Sequence, residues 1–118
     1  KLSNKWGIIN GKGQVKVDFL YEQLISYYEF YIIAQKNNKW GYINERGVER
    51  IPFIYDQVKP FKGEIACVMK NGKWGIIDKR GTVLIPYEYD TISEKDQKRY
   101  LYKGDYKVFI KPNGVIQR

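Results

Sequence analysis

Histidine is absent from the 118 residues, and cysteine and methionine occur once each. The first absence removes the commonest general base and the commonest metal ligand. A single cysteine, Cys67, cannot close an intrachain disulfide, which argues against a disulfide-stapled secreted fold. Cys67 lies in the apolar run Ile65-Ala66-Cys67-Val68-Met69 and reads as a small buried hydrophobe. It lacks the base or electropositive, exposed setting that a nucleophilic thiol needs. Alanine and leucine are scarce, at two and five residues, so little favours helix. The longest apolar runs are four or five residues, too short for membrane insertion. Glycine (11) and proline (4) are near average, which excludes collagen-like or linker-like sequence. No glycine-rich phosphate loop leads into a helix, because no helix is apparent.

Against these gaps stand 23 Ile and Val residues, 11 Tyr, 5 Phe and 3 Trp. Branched and aromatic side chains lose rotamer freedom on a helix and pack well on a pleated sheet, so the fold is expected to be all-β. Strand content should exceed roughly 40%, well above the average of about 20–25%. Hydrophobic residues at 43% and charged residues at 29% describe a globular chain. The net charge of +8 makes polyanions conceivable partners, although a lysine-rich soluble surface is the plainer meaning.

A repeat of 34 residues organises the chain. Trp-Gly recurs at Trp6-Gly7, Trp40-Gly41 and Trp74-Gly75. Gly13, Gly47 and Gly81 follow in register, then Tyr21, Tyr55 and Tyr89, each succeeded by an acid: Glu22, Asp56, Asp90. Leu24, Val58 and Ile92 come two residues later, and Pro52 matches Pro86. The units are 4–37, 38–71 and 72–104, with a partial capping unit 105–118, all within one domain. In the last unit Trp is replaced by Tyr106 or Lys107.

Each unit is expected to hold three short antiparallel strands. Trp74-Gly75-Ile76-Ile77 leads into the turn Asp78-Lys79-Arg80-Gly81, suited to a type I turn closed by a left-handed glycine. Thr82 to Ile85 forms the second strand, expected to stop at Pro86, with Tyr87 to Ile92 irregular. The third strand, Ile65 to Met69 or Tyr31 to Ala34, passes through a two-residue hairpin, Lys70-Asn71-Gly72-Lys73 or Lys36-Asn37-Asn38-Lys39. Consecutive apolar residues at Ile8-Ile9, Tyr42-Ile43, Ile76-Ile77 and Val83-Leu84-Ile85 imply strands covered on both faces, so the units should stack or curl on one another. The polar stretch from Ser93 to Arg99 reads as a surface loop.

The string from Gly72 to Gly81, with Ile85-Pro86 and Tyr89-Asp90, resembles the WG repeat, also called the KWG repeat. Pro60-Phe61, Gly63 and Ala66 match that pattern in the middle unit, and the resemblance covers roughly residues 4 to 92. It implies tandem β repeats, a mostly bacterial distribution, attachment to other domains in a larger protein, and a binding role. It carries no catalytic residues.

The tryptophans are read as core, equivalent in environment, with Trp40 in the middle the most buried; a repeated sugar-stacking platform is the sharper alternative. The glycine after each Trp lets a ring or backbone approach closely, or supplies unusual dihedrals. Glu22, Asp56 and Asp90 are a whole repeat apart, so they suit turn capping better than paired acid–base or metal chemistry. The chain is therefore expected to be non-catalytic, without metal or cofactor. Twelve of the 21 Lys and Arg residues sit in or beside hairpin turns. Stacking would align Lys39 with Lys73 on one rim and Arg46 with Arg80 on the other, either as wet turns or as a stripe for nucleic acid or an acidic cell-surface polymer. Non-repeating tyrosines, among them Tyr27, Tyr28, Tyr100 and Tyr102, are the alternative contact surface, for a protein partner. Protein–protein interaction is the first functional expectation and polyanion binding the second.

Overall fold

Two turn chemistries fold the chain back on itself in every repeat. A computed structural model describes residues 4–25, 31–95 and 98–111, together with the backbone of 116–117. Between β4 (Ile32–Lys36) and β5 (Lys39–Ile43), Asn37 and Asn38 have φ of 55° and 65°. Between β8 (Ile65–Lys70) and β9 (Lys73–Asp78), Asn71 and Gly72 have φ of 54° and 79°. Two consecutive positive φ values make a type I′ turn, whose twist matches that of the strands it joins. The second turn follows β1 (Trp6–Ile9), β5 and β9. Here Oδ1 of Asn10, Asn44 and Asp78 accepts the backbone N–H groups two and four residues ahead, at 2.9–3.0 Å. Gly13, Gly47 and Gly81 close these turns at φ of 80°, 82° and 85°.

The strand after that turn is built identically three times. In β2 (Val15–Tyr21), β6 (Glu49–Tyr55) and β10 (Val83–Tyr89) the third and seventh residues are buried: Val17 and Tyr21, Ile51 and Tyr55, Ile85 and Tyr89. Each carries a bulge against the Trp-Gly strand; Ile85 faces Ile76 while Tyr89, four residues on, faces Trp74. The bulge brings backbone onto the glycine. A Cβ on Gly41 would lie 2.6 Å from the Ile51 carbonyl oxygen, and one on Gly75 2.5 Å from that of Ile85. Close approach, and not a left-handed dihedral, is therefore what the Trp-Gly glycine serves. Pro86 does not end its strand as expected: β10 continues to Tyr89. Proline is accommodated because β6 and β10 are edge strands and Pro52 and Pro86 sit in the bulges.

Among the described residues the strands form four antiparallel meanders, with 69% strand and no helix. The first is β1-β2. The second runs from β3 (Gln23–Ile25) through β6, the third from β7 (Gln57–Val58) through β10. The fourth comprises β11 (Thr91–Lys95), β12 (Lys98–Lys103), β13 (Tyr106–Ile110) and β14 (Ile116–Gln117). Full sheets thus hold four strands and not three, because a short strand forms directly after each of Glu22, Asp56 and Asp90. At these acids the chain crosses from one sheet to the next, so each sheet joins the end of one sequence unit to the start of the following one.

The sheets stack in chain order into a body 50 × 24 × 24 Å, an open line and not a closed ring. Cores lie between neighbours. Val17, Ile32, Ala34 and Ile43 fill the first interface; Ile33, Tyr42, Ile51, Phe61, Ala66, Val68 and Ile77 the second. Ile65, Cys67, Trp74, Ile76, Leu101, Val108 and Ile110 fill the third. Ile76 and Ile77 therefore face opposite cores, which accounts for consecutive apolar residues in central strands. The same expectation fails at the margins: Val83 and Leu84 are 46% and 41% exposed, because their strand is an edge, and Ile9 is exposed in the two-stranded first sheet.

Two further expectations are corrected. Ser93 to Arg99 is not simply a loop: Thr91–Lys95 and Lys98–Lys103 pair as an antiparallel hairpin. Arg99 is buried and donates to the carbonyls of Lys62 (3.0 Å) and Ile65 (3.3 Å), while Glu94 pairs with Lys62 at 2.9 Å. Nor do the three Trp share one environment with Trp40 deepest. Trp74 is 5% exposed, Trp40 is half-buried and Trp6 is 40% exposed. Ile92 of β11 packs on the same core as Trp74, and Val58 of β7 packs on the same core as Trp40.

Candidate functional site

The repeated acids form a spine along one rim. Glu22 accepts the backbone N–H groups of Asn37 (3.1 Å) and Asn38 (3.0 Å) and pairs with Lys5 at 3.3 Å. Asp56 accepts the N–H of Gly72 at 3.1 Å and the ammonium of Lys39. Asp90 accepts the N–H of Gly104 at 3.2 Å and the ammonium of Lys73. Each carboxylate so ties the hairpin of its own sheet to a lysine of the preceding one. The N–H groups of Asn38 and Asn37 hold the Glu22 carboxyl below its usual range; Lys39 and Gly72 do this for Asp56, and Lys73 and Gly104 for Asp90. The capping is of turns 15 or so residues away in sequence, not of a local turn.

This geometry occupies two of the basic candidates. Lys39 and Lys73 hold equivalent places and both are ion-paired, though their side chains stay about half exposed, at 47% and 50%. Arg46 and Arg80 are exposed in the equivalent turns at the other end of β5 and β9. Tyr27 and Tyr28 lie outside the described residues. Tyr100 and Tyr102 are half-buried on the outer face of β12, opposite the inward Arg99 and Leu101. Lys103 faces Tyr106 across the hairpin as Lys70 faces Lys73, so Lys107 takes the Trp place and Tyr106 is 73% exposed.

Sequence reasoning missed the groove beside Trp40. It measures about 370 Å³ and is lined by Ile25, Ile33, Trp40, Gln57, Val58, Lys59 and Pro60. It lies between β3, β4, β5 and the segment Gln57 to Pro60, so it is formed by contacts between units and has no signature in the repeat. The Tyr42 hydroxyl beneath donates to the Lys59 carbonyl, and burial raises the Tyr42 pKa far above the ordinary phenol value. This bond fixes the backbone of the groove wall.

Burial pushes the Cys67 thiol up to about 11, with Glu94 adding to the shift, so it is a neutral core group at pH 7. Among the described residues no three His, Cys, Asp or Glu side chains gather as a metal site.

No curated protein and no solved structure matches the chain. The family model described as the WG containing repeat matches residues 6–40, 40–74 and 74–94 in tandem. Those boundaries fall on the three tryptophans around which the bulged strands and stacked cores are built, and this chain belongs to the WG-repeat family.

Proposed function

We propose that the chain is a non-catalytic binding module whose partner is a protein. The repeating residues are engaged in the scaffold: Trp74, Tyr21, Tyr55 and Tyr89 in cores, Glu22, Asp56 and Asp90 in the spine. What remains for contact is the part of the stack that neighbouring sheets leave uncovered. The observation that carries the reading is the groove at Trp40, an apolar hollow of about 370 Å³ with one aromatic wall and Gln57 and Lys59 among its lining. A hollow of this kind suits one or two apolar side chains of a partner, with the indole as a buried anchor.

The test is affinity capture from a lysate of the source organism, comparing the wild-type chain with Val58→Arg. A protein retained at about 0.5 M salt by the wild type and lost from the variant supports the reading, since apolar anchoring survives screening. Capture unaffected by Val58→Arg overturns it. A polyanion partner is the second reading. It is favoured by the lysine-bordered outer face of the fourth sheet more than by the hairpins, whose Lys39 and Lys73 are already paired.

A further inference from the structure

The fourth sheet departs from the others on the face turned away from the stack. Its inner face follows the pattern, with Leu101, Val108 and Ile110 closing the third core. Its outer face does not. Tyr100 stands where β8 has Cys67, and Tyr102 where it has Met69; Phe109 and Lys107 stand where β9 has Ile76 and Trp74. In the third sheet those positions pack against the next sheet; here they carry three aromatic rings and an ammonium.

The register shows how these groups lie. Tyr100 is opposite Phe109, with ring centroids 5.6 Å apart, and Tyr102 is opposite Lys107. Lys95 pairs with Lys98 at the far end of the hairpin, and alternation places both on the face of Tyr100. The remaining outer positions of β11, Thr91 and Ser93, are neutral. The carboxylates of this sheet among the described residues are otherwise placed. Glu94 points inward to Lys62, Asp90 is held by Lys73 and Gly104 where the chain enters, and Asp105 is in the hairpin. The face is therefore a platform of aromatic rings bordered by cations, with no acid among its described strand residues.

We propose that this face binds single-stranded nucleic acid, with bases stacked on Tyr100, Tyr102 and Phe109 and phosphates held by Lys95, Lys98 and Lys107. Tyr100 and Tyr102 are two residues apart on one strand, about 6.8 Å, which lets successive unstacked bases each meet a ring. Stacking needs only the π-face that every base offers, and lysines set around the rings supply the sequence-independent phosphate contacts. Duplex DNA keeps its bases inside the stack, so it meets the lysines alone. Lys107 lies 4.4 Å above the Tyr100 ring in the free protein. A base entering there exchanges this cation–π contact for stacking and leaves the ammonium beside the strand's own phosphate. The site is distinct from the Trp40 groove, so it stands whether or not the protein-binding reading does.

The experiment is fluorescence anisotropy with labelled 12-nucleotide oligothymidylate and oligouridylate, the matching duplex, heparin and polyglutamate, at 50 to 200 mM salt. Single strands should bind at least tenfold more tightly than the other three. Tyr102→Ala should weaken that binding about tenfold, while Tyr100→Phe, which keeps the ring and the fold, leaves it within twofold. Lys98→Gln and Lys107→Gln should each lower the salt slope by about 0.7. Equal binding of duplex, heparin or polyglutamate, no binding of any probe, or indifference to Tyr102→Ala in a chain with wild-type circular dichroism overturns the proposal.

Discussion

Replacing each tryptophan in turn by alanine should produce a graded loss of stability, Trp74 first, Trp40 second, Trp6 last. A tryptophan buries about 150–250 Å², equivalent to about 4–6 kcal/mol at 25 cal/mol/Å² as an upper bound. Trp74 is only 5% exposed, so nearly all of this applies, and the residual cavity between the third and fourth sheets adds to it. Measured losses for such truncations run to about 3–5 kcal/mol. Trp6 is 40% exposed, so its loss scales to about 2–3 kcal/mol. Trp40 falls between, as a half-buried ring that lines the groove. The assay is urea denaturation followed by circular dichroism. With a slope of about 1.5 kcal/mol/M, a loss of roughly 4 kcal/mol moves the Trp74→Ala midpoint by about 2.7 M, and the Trp6→Ala midpoint by about 1.3–2 M. Single-Trp chains add an independent reading, with Trp74 the most shielded from acrylamide. Equal losses at the three sites, or the largest at Trp40, would refute the idea that each tryptophan contributes in proportion to its burial between sheets.

The other outcomes follow from particular contacts. Gly41→Ala places a methyl against two carbonyl oxygens within 2.8 Å and should cost more than Gly47→Ala, where the obstacle is a φ of 82° worth about 1–2 kcal/mol; thermal melts of the two variants decide the order. The lowered carboxyl pKa values of Glu22, Asp56 and Asp90 contribute stability that is complete above the ordinary carboxylate range and lost as pH falls below about 4. The effect is modest, because the groups are exposed. Asp56→Asn should flatten this acid limb in a pH series of denaturation midpoints, and an unchanged limb would remove the spine from the account. Cys67 should resist a thiol reagent at pH 8 in the folded chain and react at once in urea, whereas rapid native labelling would contradict its place in the third core.

Much of the scaffold was legible because its signals are local. Asn71-Gly72 specifies a two-residue hairpin wherever it occurs between strands, and Gly81 at the fourth position of its turn specifies a left-handed closure. The 34-residue spacing of Trp6, Trp40 and Trp74 then implies stacking, since a single unit cannot bury its apolar faces. What stayed hidden depends on contacts between units. Asp56 reads as a local cap until the hairpin at Gly72 is seen folding back upon it. Pro86 reads as a strand end until the bulge opposite Gly75 shows where a missing N–H does no harm. The Ser93 to Arg99 stretch is polar enough to suggest a loop, yet Glu94 and Arg99 are polar because they bind Lys62 and two backbone carbonyls. The groove had no sequence mark, as Ile25, Trp40 and Pro60 meet only through the packing of neighbouring sheets.

Site-specific photo-crosslinking tests the binding role most directly. A photoreactive residue at Gln57, on the wall of the Trp40 groove, is compared with one at Glu88, on the edge strand of the third sheet, in cells of the source organism. The account predicts a discrete crosslinked polypeptide from Gln57, abolished by Val58→Arg, and none from Glu88. Crosslinks from Glu88 alone, or no crosslinked polypeptide from Gln57 while the chain is folded, would contradict it.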